Sequence, residues 1–240
     1  MNENDKILYD KDIREPLFEY LEDVFGNIRI LEELTLGSSR ADILMVTEEA
    51  LTGVEIKSDA DSYTRLSGQV KDYDRFCDRC IIAVGSSHAE HVAEHVPPYW
   101  GIITVETADG EPDFYMLREP SANPSGVLDR QIGLLWRIEM KHIQEKNMLP
   151  KYKEKSKRFV AGKLLEKVPH DILKKQVLAE LFDRDYTAVG AETEEFRRSE
   201  IDKKLDGVTD LQQKALLLIE KNMKRRQLKA RKKRRRRRLL

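Results

Sequence analysis

The spacing of apolar residues changes along the chain and predicts an α/β half followed by a helical half. Leu17 and Leu21 lie at helical spacing within residues 10–25, and Gly26 and Asn27 follow directly, which predicts a first helix. The next segments are short, rich in β-forming residues and separated by turn residues, which is typical of a three-stranded meander. These segments are 28–36, 40–47 and 51–58.

A second helix and further strands are expected after the meander. Residues 61–77 carry an apolar stripe of Leu66, Val70, Tyr73 and Cys77, which predicts a helix with one buried side. The run 80–85 is apolar throughout, as expected of a strand that is covered on both faces. A short helix at 88–96, a buried strand at 101–105 and an edge strand at 113–117 follow.

Beyond residue 125 only helical spacing remains. The expected helices are 127–147, 154–167, 169–183 and 209–228. Leu128, Ile132 and Leu135 would bury one side of the first of them. We therefore expect an α/β core over 1–125, a helical region over 126–220 and a tail rich in arginine and lysine over 221–240.

Composition excludes several classes of protein. No run of apolar residues is long enough to span a membrane, and the polar start MNENDKILYDKD lacks the apolar region of a secretory signal. The two cysteines cannot build a disulfide framework. These features predict a reduced, cytoplasmic protein.

The formal net charge of zero hides a division between body and tail. Residues 221–240 contain 13 basic and no acidic residues, whereas the other 220 carry 30 basic and 43 acidic ones. Such a tail suits an anionic partner, and we expect it to contact nucleic-acid phosphates, with acidic lipid and an incidental extension as the alternatives. The arginines assigned to this contact are Arg225, Arg226, Arg231 and Arg234.

The meander brings together charged residues that are distant in sequence. If the turn between its second and third strands centres between residues 48 and 49, Asp42 lies opposite Glu55. Glu55 and Lys57 then share one face of the sheet, because side chains alternate along a strand. Ala41, Ile43, Val54 and Ile56 are expected to point away from these charges into a core.

Two neighbouring carboxylates on an apolar sheet repel each other unless a cation lies between them. Ligands that are all oxygen select a hard ion, here Mg²⁺ or Mn²⁺. A nearby lysine can stabilise charge on a phosphate, so Asp42, Glu55 and Lys57 together suit metal-assisted phosphodiester hydrolysis. The opposing interpretation is an ordinary surface ion pair between Glu55 and Lys57.

The arrangement Asp42, then Glu55-Ile56-Lys57 on the next strand, resembles the PD-(D/E)XK nuclease superfamily. Gln69 and Tyr73 resemble the Gln-x-x-x-Tyr motif of its RecB-like and phage-exonuclease branch, and the stretch GSSRADI…GVEIKSDADSYTRLSGQVKDYDRF is similar to a small bacterial and phage branch. The resemblance covers roughly residues 10–105. It implies a restriction-endonuclease-like mixed sheet flanked by helices.

The resemblance also implies residue roles. Asp42, Glu55 and the main-chain carbonyl of Ile56 would bind Mg²⁺ or Mn²⁺, Lys57 would be the catalytic lysine, and Gln69 and Tyr73 would position the substrate. Ala41 stands where the motif has its nominal proline. The family has an acid on the first helix, for which Asp12, Glu15 and Glu19 are the candidates. Arg40, beside the motif, would contact the nucleic acid.

Other motifs receive plainer interpretations. Cys77 and Cys80 are too few for an iron–sulfur cluster and are expected to be buried thiols. His88, His91 and His95 have the spacing of a zinc-binding helix face, but a solvated face fits them as well. Trp136 and Tyr152 are more typical of packing than of base stacking.

The functional hypothesis is a Mg²⁺-dependent deoxyribonuclease that binds DNA, or RNA, through the cleft and the tail. The alternative is a nucleic-acid-binding or assembly protein that retains the nuclease fold without catalysis. Exonuclease and endonuclease modes, and the oligomeric state, stay open.

Overall fold

The computed structural model describes residues 8–108, 110–125, 127–152 and 154–186. Residues Met1–Arg184 form one compact unit and Asp185–Leu240 a second. The described helices and strands belong to the first unit. The predicted helix at 209–228 and the arginines of the tail lie outside the described residues, as does the whole of 187–220.

In the described part of the chain, six strands and the helices around them follow in the order that the sequence predicts. The strands are β1 (Arg29–Leu36), β2 (Ser39–Val46), β3 (Leu51–Lys57), β4 (Arg79–Gly85), β5 (Gly101–Ala108) and β6 (Glu111–Arg118). The helices are α1 (Asp10–Phe25), α2 (Leu66–Phe76), α3 (Ser86–Ala89), α4 (Leu128–Gln131), α5 (Arg137–Lys146), α6 (Lys157–Lys167) and α7 (His170–Phe182). Short 3₁₀ turns precede α2, follow α3 and follow α4.

The six strands form one mixed sheet in the order β1-β2-β3-β4-β5-β6. The first three strands are an antiparallel meander, β4 and β5 continue parallel to β3, and β6 returns antiparallel at the edge. This confirms the expected mixed α/β sheet with helices on its faces. Parallel pairing requires crossover connections, which α2 and the α3 segment provide.

Each face of the sheet has its own hydrophobic core. The α1 core packs Ile13, Leu17 and Leu21 of α1 against strand residues such as Ile43 and Val54. The α2 core lies on the opposite face and combines strand residues with α2 and with α5, α6 and α7. Because strand β4 contributes to both cores, its residues from Cys80 to Val84 are all buried, as its apolar run predicts.

The helices after residue 125 pack onto the sheet. Met140, Val160, Leu164 and Val177 are fully buried in the α2 core together with Leu44 of β2. The predicted helix 127–147 is interrupted: α4 and its 3₁₀ turn end at Leu134, and Trp136 caps the start of α5. Glu139 accepts a hydrogen bond from the main-chain N–H of Trp136 at 2.6 Å, which stabilises this new helix start.

The alternation of side chains between the two faces of the sheet breaks in β1 and β2 near Glu33. Glu33 has a left-handed φ of 58°, and the ladder passes from the Glu32–Ile43 pair to the Leu34–Ala41 pair. As a result Ala41 packs in the α2 core, whereas Ile43 packs in the α1 core. The prediction that Ala41 and Ile43 share a face is therefore wrong, because the alternation of side chains breaks between these two residues, next to the left-handed Glu33 of β1.

Among the described residues, no helix combines the length and the apolarity needed to cross a membrane.

Candidate active site

Strands β2 and β3 separate at the position of Asp42. The ladder between them ends at the Ile43–Val54 pair, in the register that the turn prediction requires. Beyond that pair, the carboxylate of Asp42 accepts the main-chain N–H of Ile56 at 2.9 Å. The side chain of Asp42 therefore accepts a hydrogen bond that a main-chain carbonyl would accept in a continuous ladder. The strands are not paired beyond this point, and Asp42 lies beside Glu55.

Glu55 is the most heavily coordinated carboxylate of the site. Its side chain is 1% exposed. Lys57 and Gln69 both donate to Oε1, and the hydroxyl of Tyr73 donates to Oε2 at 2.8 Å. The structure thus brings together four of the residues that the motif resemblance selected, namely Glu55, Lys57, Gln69 and Tyr73.

Tyr73 connects the two strands. Its hydroxyl accepts the main-chain N–H of Asp42 at 3.1 Å while it donates to Glu55. Burial, and then the charges of Glu55 and Asp42, raise the pKa of Tyr73 well above its ordinary value, so the hydroxyl keeps its proton. Strand β3 has Gly53 under the Tyr73 ring, where any Cβ would overlap the ring and Cys77. The glycine therefore allows α2 to approach the strands closely.

The carboxyl group of Asp42 has a strongly raised pKa. Burial, and then the charge of Glu55, raise the pKa of Asp42 from 3.8 to about 7. The Ile56 N–H, Arg14 and Lys57 oppose this rise without cancelling it. The negative charges of Asp42 and Glu55 therefore repel each other unless a further cation lies between them.

Arg14 of α1 lies against this pair and was not expected from the sequence. Its guanidinium donates to the main-chain oxygen of Asp42 at 3.1 Å and lies 3.7 Å from Oδ1 of Asp42. Asp10 holds it with hydrogen bonds of 3.0 and 3.1 Å, and Glu33 lies 3.4 Å away. The available sequence signal was the four-residue spacing of Asp10 and Arg14, which is typical of an ion pair on a helix.

None of the three candidates for the acid on the first helix lines the cleft. Asp12 accepts the main-chain N–H of Tyr9 at 3.1 Å and caps α1. Glu15 and Glu19 are exposed and do not line the cleft, whereas Asp10 does. Asp10, the first residue of α1, was not among the candidates, and it lines the cleft together with Arg14.

The site opens into a cleft of about 830 Å³. Arg40 and Arg65 line it together with Asp42, Glu55 and Lys57. Arg40 is largely exposed and lies 2.5 Å from a carboxylate oxygen of Glu33, so its predicted contact with nucleic acid stays a prediction.

The turn between β1 and β2 forms another wall of the cleft. Ser38 and Ser39 line it, and the carboxylate of Asp72 accepts the hydroxyls of both, at 2.7 and 2.8 Å. Gly37 has a φ of 62°, and a Cβ there would overlap Asp72. Although burial acts in the opposite direction, the hydrogen bonds from Ser38 and Ser39 lower the pKa of Asp72. This contact fixes the turn on α2.

The donors of the cleft suit a hard divalent cation with a partly aqueous shell. No cluster of three or more histidine, cysteine or acidic side chains placed to hold a metal occurs in the described part of the chain, so protein carboxylates would supply two ligands. Oδ2 of Asp42 accepts the N–H of Ile56, and Oδ1 lies 3.7 Å from the guanidinium of Arg14, which a cation at Oδ1 would have as its neighbour. The Oε1 atom of Gln69 is buried without a hydrogen-bond partner in the cleft wall, as expected if a water belongs there.

The remaining sequence motifs have structural roles. Cys77 and Cys80 are buried free thiols, as predicted. His88 and His95 pack on the ring of Tyr63, with ring centroids 4.9 and 4.3 Å away, while His91 lies 3.4 Å from Glu94. The zinc interpretation of the three histidines therefore has no support from the described residues.

Trp136 and Tyr152 have packing partners as well. The guanidinium of Arg184 lies 4.2 Å from the centre of the Trp136 ring, and Tyr152 makes an edge contact with Phe159.

The family model described as bacteriophage P4 protein cII matches residues 3–204, so the chain belongs to this family. No curated protein sequence matches the chain. A solved structure of SfsA from Pyrococcus furiosus, in complex with Ca²⁺, is similar with a TM-score of 0.33 and 16% sequence identity. That similarity covers 50% of this chain and 68% of SfsA, and it is too weak to support any conclusion about this chain.

Proposed function

We propose that the chain is a divalent-metal-dependent nuclease of the PD-(D/E)XK type that hydrolyses phosphodiester bonds in DNA. The observation that carries the proposal is the meeting of Asp42, Glu55 and Lys57 at the opening between β2 and β3. Carboxylates from adjacent strands and an ammonium in one cleft are the parts that metal-assisted hydrolysis uses.

The chain's own residues have distinct tasks in this proposal. Asp42, Glu55 and the main-chain carbonyl of Ile56 would hold Mg²⁺ or Mn²⁺, which supplies Lewis-acid activation of water and of the phosphate. Lys57 would leave Glu55 to stabilise negative charge on the phosphate. Tyr73 fixes Glu55 relative to Asp42, and Gln69 offers its free Oε1 to a water in the cleft.

The second candidate is a nucleic-acid-binding protein that keeps this fold without catalysis. It is favoured by the hydrogen bonds that already occupy both oxygens of Glu55, and by the position of Arg14 beside Asp42. In such a protein the ammonium and guanidinium groups would serve as the permanent counterions of the two acids.

Cleavage assays separate the two candidates. Linear and circular DNA are incubated with the wild type, with Lys57→Ala and with Lys71→Ala, in Mg²⁺, Mn²⁺ or EDTA. Lys71 is an exposed lysine on α2 that does not line the cleft, so its variant is the matched control. The nuclease proposal predicts metal-dependent cleavage by the wild type and Lys71→Ala, and its loss in Lys57→Ala. Equal cleavage by all three proteins, or no cleavage with retained DNA binding, contradicts it.

A further inference from the structure

One segment of the first compact unit differs sharply in charge from the rest. Residues 8–150 contain 14 basic and 27 acidic residues, whereas residues 151–175 contain nine basic and three acidic residues. Helix α6 lies in this basic segment, on the sheet face opposite α1. A local positive surface on an acidic body attracts anionic partners selectively.

Two lysines and a phenylalanine of this segment align on the outer side of α6, and a third lysine precedes the helix. Phe159, Lys163 and Lys167 follow each other at intervals of four residues, which places them along one side of α6, and Lys155 lies before the helix beside the Phe159 ring. Val160 and Leu164, which are fully buried, fix the opposite side against the sheet. We call these four residues, with the neighbouring Tyr152, the α6 surface.

An aromatic ring lies among these cations. Phe159 is 39% exposed, so part of its ring is accessible from solvent. The ammonium groups of Lys155 and Lys163 lie 5.7 and 6.0 Å from its ring centre, and Tyr152 contacts its edge. Lys155 makes no ion pair with another described residue, while Lys163 contacts Glu166 at 2.5 Å.

We infer that the α6 surface binds single-stranded nucleic acid. A row of lysines can follow a chain of phosphates, and an exposed ring among them can stack on an unpaired base. A duplex keeps its bases stacked inside and offers nothing to Phe159, and an acidic lipid surface requires the charges but not the ring in the middle of the row. The surface is separate from the cleft, so it does not depend on catalysis.

The test is a binding measurement on the full chain in EDTA, where metal-dependent cleavage does not interfere. Fluorescence anisotropy compares a labelled oligothymidine with a duplex of equal length over a series of salt concentrations. The triple variant Lys155→Gln/Lys163→Gln/Lys167→Gln should lower the slope of log K against log salt by about 2 for the single strand, since each contact contributes about 0.7. All variants keep the tail, so the difference reports the α6 surface.

Phe159→Leu tests the ring separately from the charges. It should weaken binding of the single strand by about tenfold and leave duplex binding nearly unchanged, because only unpaired bases stack. The matched control is Lys11→Gln/Lys71→Gln/Lys141→Gln, which removes three exposed lysines from α1, α2 and α5.

Three results would overturn the inference. The first is an unchanged salt slope in the α6 triple variant, and the second is an equal change in the control variant. The third is unchanged oligothymidine binding combined with lost binding to vesicles that contain phosphatidylserine, which would assign the surface to lipid. Thermal unfolding of each variant within a few degrees of the wild type ensures that folding is not the cause.

Discussion

The carboxylate of Asp42 accepts the main-chain N–H of Ile56 at 2.9 Å, at the point where β2 and β3 stop pairing. One oxygen of Asp42 thereby completes the hydrogen bonding of the sheet, while the other lies 3.7 Å from the guanidinium of Arg14. The same contact that closes the ladder therefore orients an acid beside Glu55.

Tyr73→Phe should reduce cleavage by about ten- to a hundredfold while leaving the fold intact. The ring still fills the space above Gly53, but Glu55 loses a donor and the Asp42 N–H loses its acceptor. Initial rates on linear DNA and thermal unfolding measure the two effects. Tyr99→Phe is the control, since Tyr99 donates to Asp74 at 2.8 Å outside the cleft. A similar loss of cleavage in both variants would contradict the assigned role of Tyr73.

Gly53→Ala should destabilise the protein by about 1–3 kcal/mol, because the new Cβ would overlap the ring of Tyr73 and the sulfur of Cys77. Gly162→Ala, in α6, meets open space and should be neutral or stabilising by up to about 1 kcal/mol. Urea unfolding of the two variants gives the comparison. The account of the close approach between α2 and β3 fails if Gly53→Ala is as stable as the wild type.

The stability of the metal-free protein should fall between about pH 4 and pH 7. Burial and Glu55 raise the pKa of Asp42 from 3.8 to about 7 in the folded state, so over that range the unfolded chain loses its proton first and unfolding becomes more favourable. Below pH 4 the carboxyl group of Asp42 is protonated in both the folded and the unfolded state, so this group does not change the stability. Above pH 7 the loss of stability levels off, at up to about 4 kcal/mol.

Asp42→Asn removes this titration and isolates its effect. In EDTA, the variant should gain stability relative to the wild type as the pH rises from 4 to 7, as measured by urea unfolding at each pH. A difference between the two proteins that does not change with pH would mean that Asp42 is not held in the protonated form by its surroundings.

Arg14→Gln should increase the affinity for Mn²⁺ by several-fold and lower the stability of the metal-free protein. The guanidinium lies 3.7 Å from Oδ1 of Asp42 and therefore repels a divalent cation at that atom, but it also neutralises Asp10 and Glu33. Arg14→Lys should have a Mn²⁺ affinity and a stability between those of the wild type and Arg14→Gln. Mn²⁺ titration and urea unfolding measure both effects, and weaker Mn²⁺ binding in Arg14→Gln would show that Arg14 mainly holds Asp42 in place.

Much of the fold follows from local sequence patterns. The turn between β2 and β3 sets the register of their strands, so the opposition of Asp42 and Glu55 could be predicted by counting residues. Alternation in β3 correctly places Val54 and Ile56 in the α1 core and Glu55 on the other side. These predictions hold because strand geometry depends mainly on residues close in sequence.

The parts that could not be predicted depend on contacts over longer distances. Ala41 packs in the α2 core where the neighbouring strand has its left-handed Glu33, and glutamate gives no local signal for such a conformation. Asp10 and Arg14 reach the cleft only because α1 crosses the sheet with its first turn beside Asp42. Helix periodicity defines the buried side of α1 but does not show which end meets the site.

The central claim is that Asp42 and Glu55 jointly hold one divalent cation in the cleft. Mn²⁺ titration followed by electron paramagnetic resonance tests it directly, with the wild type, Asp42→Asn, Glu55→Gln and Lys57→Ala. The account predicts about one Mn²⁺ bound per chain in the wild type and in Lys57→Ala, and at least tenfold weaker binding in either acid variant. Equal Mn²⁺ binding by the wild type and both acid variants would contradict it.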